Sequence, residues 1–246
     1  MTLALLGVAG LVGAFIGGVG VGGVLLGPAL VLLGGASPNG AAATSSWAFL
    51  FTGVVGTVVY ARSRTIAWSM LLRLAVGLIP AAFVGARTNA LLSGDAVLLL
   101  LAVLTMGVGA QQLIARPGRP TGAQLSAARL VAIGVVVGFG SAVTGTGGPV
   151  LLVPLLLTLG VAPLTAVAVS QAAQLPVVSA ASIGYLQAGL TDIRLGSLLG
   201  VAASAGVVAG ALLARRLDPA RLRQAVALAC VVTGLLLVVR ATINFG

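Results

Sequence analysis

Long apolar stretches separated by short polar segments dominate the pattern of residues along this chain. Residues 1–33 contain no charged residue, and residues 96–115 and 130–159 are nearly as apolar. About 20 consecutive apolar residues cross a bilayer as a helix, because a helix satisfies its backbone hydrogen bonds internally. A membrane β-barrel would show short segments of alternating polarity, and the chain has no such pattern. The pattern therefore predicts an all-α polytopic membrane protein.

The sequence also repeats itself with an offset of 125 positions. Glycines, a proline, a serine and a tyrosine recur in the same order over about 90 residues. In the first half these are Gly20, Gly22, Gly23, Gly35, Pro38, Ser45, Tyr60, Gly85 and Gly109. Their matches are Gly145, Gly147, Gly148, Gly160, Pro163, Ser170, Tyr185, Gly210 and Gly234. We expect two transmembrane repeats, residues 1–120 and 126–246, within a single integral membrane domain.

Each repeat is predicted to begin with a glycine-broken apolar stretch and to continue with three membrane spans. The broken stretches are residues 3–33 and 130–159. The expected spans are residues 41–61, 66–86, 96–115, 165–186, 195–214 and 224–240. A stretch of about 30 residues is long for one span but suits a re-entrant hairpin of two half-helices of about 15 residues each.

The arginines favour this hairpin over a straight span. A straight span in each repeat divides the arginines 8 to 5 between the two sides of the membrane, whereas a hairpin inverts the second repeat and divides them 10 to 3. The ten are Arg62, Arg64, Arg73, Arg116, Arg119, Arg129, Arg215, Arg216, Arg221 and Arg223, and the three are Arg87, Arg194 and Arg240. Because basic residues concentrate on the cytoplasmic side, we expect inverted repeats with both termini outside.

Composition narrows the possible functions. The chain is 59% hydrophobic and 7% charged, too apolar for the surface of a soluble domain. Its net charge of +10 comes from arginines between apolar runs, which is typical of membrane topology rather than of nucleic-acid binding. The chain has one cysteine, Cys230, and no histidine, so the usual ligands of metals and redox cofactors are missing and no cofactor is expected.

The acidic residues and the motifs argue against an enzyme and against a proton-coupled pump. Asp95, Asp192 and Asp218 are the only acids, and all three lie in predicted loops. No predicted span therefore carries the carboxylate or histidine of a proton relay. We find neither a nucleotide-hydrolysis motif nor a paired nucleophile and base, so the sequence predicts no catalytic residues. The possibility that backbone carbonyls hold a sodium ion stays open.

Two glycine-rich segments mark the predicted hairpin tips. The tip residues are Gly20, Gly22 and Gly23 in the first repeat and Thr144, Gly145, Thr146, Gly147 and Gly148 in the second. Glycine permits a tight reversal and a close approach of the backbone to a ligand. A helix that begins after each tip directs free N–H groups towards the middle of the membrane, which suits an anion. The alternative is that these glycines only allow close helix packing.

The next span of each repeat carries the remaining polar candidates for substrate binding. These are Thr44, Ser45 and Ser46 in the first repeat and Ser170, Gln171 and Gln174 in the second. Hydroxyl and amide groups can donate hydrogen bonds to a small oxyanion, but bonds between helices explain them equally well. For Arg73, near the start of its span, reaching back to the interface is favoured over contact with an anion.

The duplicated motif consists of Gly20-x-Gly-Gly, Pro28, Gly35, Pro38 and Ser45, with a second copy from Gly145-Thr-Gly-Gly148 through Pro154, Gly160, Pro163 and Ser170. With the segment from Tyr185 to Arg194, this pattern resembles the sulfite exporter TauE/SafE family over nearly the whole chain. The first copy departs from the second, because its tip lacks the threonines and Gly27 precedes its proline.

This resemblance implies a permease of the bacterial inner membrane that carries a small anion, such as sulfite, another sulfur-containing oxyanion or an organosulfonate. The expected partners are this anion and the lipid bilayer, while self-association into a homo-oligomer stays open. The competing hypotheses are an ion channel and a membrane scaffold subunit that transports nothing. Glycine-broken helices speak against the scaffold, because a broken helix is unfavourable in lipid unless it lines a cavity.

Overall fold

The computed structural model describes residues 2–114, 125–213 and 219–245, and every regular element in these ranges is helical. The elements are α1 (Thr2–Val19), a 3₁₀ turn (Gly23–Leu25), α2 (Leu26–Leu32), α3 (Pro38–Arg62), α4 (Trp68–Leu91), α5 (Gly94–Ile114), α6 (Ala127–Thr144), α7 (Pro149–Thr158), α8 (Pro163–Gln187), α9 (Ile193–Leu213) and α10 (Pro219–Phe245). Among the described residues, seven helices are long and apolar enough to cross a membrane. The predicted all-α polytopic membrane fold is confirmed.

The six predicted spans correspond to α3, α4, α5, α8, α9 and α10, with both ends within five residues of the predicted ones wherever they are described. The predicted ends at 115 and 214, the boundary between the repeats, and Arg116, Arg119, Arg215, Arg216 and Asp218 lie outside the described residues. Local sequence explains several starts. Ser37 caps α3 by accepting a hydrogen bond from Gly40 N, with Pro38 in the first turn, and Ser126 caps α6 in the same way.

The chain reverses direction after α1 and after α6. A Cβ atom on Gly22 would lie 2.7 Å from the carbonyl oxygen of Val12, although ten residues of continuous helix would separate the two by about 15 Å. In the second half, a side-chain methyl group of Leu151 lies 3.2 Å from where a Cβ of Gly140 would be. Both glycine-broken stretches are therefore helical hairpins.

The two arms of each hairpin differ in length, which corrects the expected half-helices of about 15 residues. The first arms, α1 and α6, have 18 residues each. The second arms are the ten-residue helical segments Gly23–Leu32 and Pro149–Thr158. The break falls where the backbone takes a positive φ, at Gly20 (+77°) and at Gly145 (+68°), Gly147 (+82°) and Gly148 (+101°). These residues, and not the middle of the apolar stretch, set the length of the arms.

Helices of the first half of the chain pack against helices of the second half. α1 packs against α9, and α6 packs against α4, while α5 packs against α10. A Cβ on Gly13 would lie 1.9 Å from the carbonyl oxygen of Ala203, and one on Gly134 would lie 2.3 Å from that of Leu74. Glycine is therefore required at both contacts, as close helix packing in membranes commonly demands. Large apolar side chains such as Leu72 and Val103 remain exposed on the outer faces, where lipid would cover them.

At the centre, α3 and α8 pack antiparallel: Gly53 lies beside Leu175, and Gly56, further along α3, lies beside Gln171. Four of the five helices of the second half begin 125 positions after their counterparts, at 2 and 127, 38 and 163, 68 and 193, and 94 and 219. An inverted duplication predicts this exchange of partners. The bounds of the repeats and their orientation in a bilayer stay predictions.

Candidate functional site

The tips of the two hairpins meet between the middles of α3 and α8. A Cβ on Gly23, at the start of the second arm of the first hairpin, would lie 3.0 Å from the carbonyl oxygen of Thr146 in the tip of the second hairpin. Between the tips lies a small cavity, which we call the central cavity. Its lining residues are Ile16, Gly20, Gly23, Phe49, Thr146, Pro149, Val150 and Gln174.

The central cavity is narrow and none of its lining residues carries a charge. The space open to the centre of a water molecule is about 10 Å³, which is about the room that a single water needs. Thr146 and Gln174 are each 2% exposed, and Phe49 is 1% exposed. In this conformation the cavity is closed around a volume smaller than a polyatomic anion.

Backbone N–H groups are the main donors near the cavity. α7 begins at Pro149, directly after the tip, and Leu151 N and Leu152 N donate to Gly148 O. Among the described residues, the N–H groups of Gly147, Gly148 and Val150 find no acceptor. Buried N–H groups without an acceptor are rare, and here they stand at the positive end of the α7 dipole. This arrangement can bind an anion, or a water molecule in its place, without a cationic side chain.

The second hairpin tip is tied to three other helices by side-chain hydrogen bonds. From α3, Ser45 Oγ donates to Gly145 O at 2.9 Å. From α4, Asn89 Nδ2 donates to Val143 O at 2.6 Å, and from α8 the Tyr185 hydroxyl donates to Ala142 O. Within the tip, the hydroxyls of Thr144 and Thr146 lie 3.2 Å apart, and Thr144 Oγ1 also donates to Gly140 O at 2.8 Å. The carbonyls of Ala142 and Val143, which the end of α6 leaves without a donor further along the helix, are thereby satisfied.

Comparison with protein families gives a match over residues 3–237 to the model of the sulfite exporter TauE/SafE family. The chain belongs to the TauE/SafE family. Searches of curated proteins and of solved structures find no match. The resemblance seen in the duplicated glycine motif is confirmed, and the matched region contains both hairpins and the central cavity. The protein is thus a multi-pass membrane protein of a transporter family.

In this TauE/SafE chain, Gln174 joins α8 to α3 beside the cavity. Its Nε2 donates to Phe49 O at 3.0 Å and to Thr52 Oγ1 at 2.7 Å, and Thr52 Oγ1 lies 3.2 Å from Phe49 O. Neither Phe49 nor Thr52 was singled out from the sequence. A phenylalanine in an apolar span gives no signal of its own, but Phe49 occupies the position that Gln174 occupies 125 residues later.

Four of the predicted substrate-binding residues line the central cavity: Gly20, Gly23, Thr146 and Gln174. The other tip residues do not line the cavity: Thr144 is the last residue of α6, and Gly22, Gly145, Gly147 and Gly148 lie in the segments that link the arms of the hairpins. Of these, Gly147 lies against the ring of Phe49, and Gly148 lies against Val177.

The remaining predicted side chains lie on α3 and α8 outside the cavity lining. Ser45 holds the second tip, and Thr44 Oγ1 accepts a hydrogen bond from Asp192 N at 3.2 Å. Ser46 is buried, and the polar side-chain atoms of Ser170 and Gln171 are buried without a partner among the described residues. Arg73 is exposed on α4 and does not line the cavity, and its placement at the membrane interface stays a prediction.

Proposed function

We propose that this chain is a permease that moves a small anion, a sulfur-containing oxyanion or organosulfonate of the sulfite type, across the bacterial inner membrane. The observation that carries the proposal is the central cavity, beside which two helical segments begin and the N–H groups of Gly147, Gly148 and Val150 find no acceptor among the described residues. In this proposal the two repeats are inverted, and both termini lie outside.

The polar groups around the cavity favour an anion over a cation. A sodium ion would need several oxygen ligands, but the carbonyls of Ala142, Val143 and Gly145 already accept hydrogen bonds from side chains. The N–H groups of Gly147, Gly148 and Val150 can only donate. Three carbonyls of the tip are thus occupied while three of its N–H groups are free, and this balance suits the oxygens of an oxyanion.

The driving force is the membrane potential. None of the residues that line the cavity titrates near neutral pH, so the site offers no proton for coupling. An inside-negative potential lowers the free energy of an anion outside by about 2.3 kcal/mol per charge per 100 mV, which is enough to drive export. Because the cavity has room for about one water, the hairpin tips must separate from α3 or α8 to admit the anion.

The test is anion flux into proteoliposomes made with the full-length protein. The panel contains sulfite, sulfate, thiosulfate, sulfoacetate, acetate and chloride, each with and without an imposed potential. Thr146→Val removes a hydroxyl from the cavity lining at nearly constant volume. Thr105→Val is the matched control, because Thr105 is equally buried but lies in α5, where among the described residues its hydroxyl bonds only to Leu101 O of the same helix.

We expect saturable, potential-dependent flux of a sulfur oxyanion, lowered about ten-fold or more in Thr146→Val and little changed in Thr105→Val. Flux that rises linearly with concentration would indicate a channel instead. No flux of any anion above that of empty liposomes, from folded protein, would refute the proposed anion permease and favour a cation carrier or the scaffold.

A further inference from the structure

The ring of Phe49 lies between the two hairpin tips. A Cβ on Gly23 would be 3.2 Å from Phe49 Cζ, and a Cβ on Gly147 would be 3.0 Å from Phe49 Cδ2. One edge of the ring therefore faces the first hairpin and the other edge faces the second. Both positions are glycine, so any side chain there would compete with the ring for space. Phe49 is the largest side chain that lines the central cavity.

Hydrogen bonds to its backbone also hold Phe49 in place. Its carbonyl oxygen accepts hydrogen bonds from Gln174 Nε2 and lies within hydrogen-bond distance of Thr52 Oγ1. These contacts fix the backbone of α3 against α8 at the level of the cavity. A ring that is 1% exposed and packed on two sides cannot swing away without moving a hairpin tip.

The two central helices thus present different chemistry to the cavity at the same repeat position. α8 contributes the amide of Gln174, whereas α3 contributes the aromatic ring of Phe49. The ring brings bulk and no hydrogen-bond donor, so its contribution is to limit size rather than to bind oxygens. When the tips separate enough to admit an oxyanion, an organic substituent on that anion would still meet the ring.

Building on the proposed function, we propose that Phe49 is the size-determining residue of the site and restricts transport to oxyanions without an organic substituent. The N–H groups beside Pro149 bind the oxygens, and Phe49 occupies the space that a carbon chain would need. Sulfite is accepted, while sulfonates that carry carbon are rejected in proportion to their length. Shortening the side chain at 49 enlarges the space and relaxes the discrimination.

The experiment compares fluxes of sulfite, methanesulfonate and sulfoacetate in proteoliposomes of the wild type, Phe49→Leu and Phe49→Ala. The measured quantity is the ratio of organosulfonate flux to sulfite flux, which does not depend on the amount of active protein. The matched controls are Phe51→Leu and Phe51→Ala. Phe51 lies on the same helix, but its ring packs against Gly200 of α9 and not against the cavity.

We expect the ratio to rise about ten-fold or more in Phe49→Ala, less in Phe49→Leu, and not at all in the Phe51 variants. An unchanged ratio in Phe49→Ala overturns the size filter while leaving the anion permease intact. Loss of all flux in both Phe49 variants, with thermal unfolding showing folded protein, also overturns it, because removing a filter spares the smallest ion. Absence of anion flux in the wild type refutes the proposed function itself.

Discussion

Three neighbouring helices donate side-chain hydrogen bonds to the tip of the second hairpin, whereas the tip of the first hairpin receives none among the described residues. Ser45, Asn89 and Tyr185 bind the carbonyls of the second tip. The first tip has counterparts to two of them, Ser170 and Tyr60. The hydroxyl of Ser170 is buried without a partner, and that of Tyr60 makes no hydrogen bond within the described part of the chain.

A difference in the distance of approach accounts for this contrast. A Cβ on Gly145 would lie 2.4 Å from the Cα of Ala42, so the second tip touches the backbone of α3. A Cβ on Gly20 would lie 3.2 Å from the side chain of Val167, the residue 125 positions after Ala42. The bulk of valine keeps the first tip further from α8, beyond the reach of Ser170. Two halves with the same architecture thus hold their tips with different strengths.

The largest effect is expected from replacing the glycines that reverse the chain. Gly145→Ala combines a strained positive φ with a backbone clash, and it should lower the free energy of unfolding by more than about 3 kcal/mol. Gly20→Ala carries the strain but meets only a side chain, so we expect a loss of about 1–2 kcal/mol. Thermal unfolding in detergent measures both. Equal losses would show that the two tips are equally constrained.

A smaller effect is expected for the two tyrosines. Tyr185→Phe removes the side-chain donor to Ala142 O in a fully buried position and leaves only the 3.3 Å bond from Gly145 N, so we expect a loss of about 1–3 kcal/mol of stability. Tyr60→Phe is the repeat counterpart and should change stability by less than about 0.5 kcal/mol. Thermal unfolding in detergent measures both losses. A loss of stability in Tyr60→Phe as large as that in Tyr185→Phe would contradict the difference between the two hairpin tips.

The smallest effect is expected for the two serines. Ser45→Ala removes the donor to Gly145 O and should cost about 1 kcal/mol, whereas Ser170→Ala removes an unpaired buried hydroxyl and should be neutral or slightly stabilising. The double variant tests additivity, because the two serines lie on different helices and share no hydrogen-bond partner among the described residues. A destabilising Ser170→Ala would mean that Ser170 has a partner in a conformation that the protein adopts in solution.

Several parts of this fold could be predicted from particular residues. Gly20 and Gly145 mark the breaks in the hairpins, whereas α3 begins at Pro38, after the capping Ser37 and three residues before the predicted span. The lengths of the hairpin arms were predicted wrongly, since a glycine-rich segment does not reveal which glycine takes a positive φ. Gly20, Gly23, Thr146 and Gln174 come together at the central cavity, because each stands near a break or on the span that follows it.

The remaining features of the site depend on which face each of α3 and α8 turns towards the cavity. Six polar residues on these helices looked equivalent as ligands, yet only Gln174 lines the cavity, while Ser45 and Thr44 bond to neighbouring backbone. Phe49 lines the cavity although its sequence surroundings are those of any apolar span. Helix rotation is set by packing between surfaces that are distant in sequence, so periodicity within one helix cannot reveal it.

Composition and spacing were enough to establish that the chain spans a membrane as helices, because lipid admits few charges and no unpaired backbone. They were also enough to show a duplication and two broken helices, because an offset of 125 positions and two glycine clusters are visible along the chain. The closeness of each tip to its neighbouring helix appeared only in the folded chain. A Cβ on Gly145 would lie 2.4 Å from the backbone of α3, whereas one on Gly20 would lie 3.2 Å from a side chain of α8, and this difference separates a serine that holds a tip from one that has no partner among the described residues.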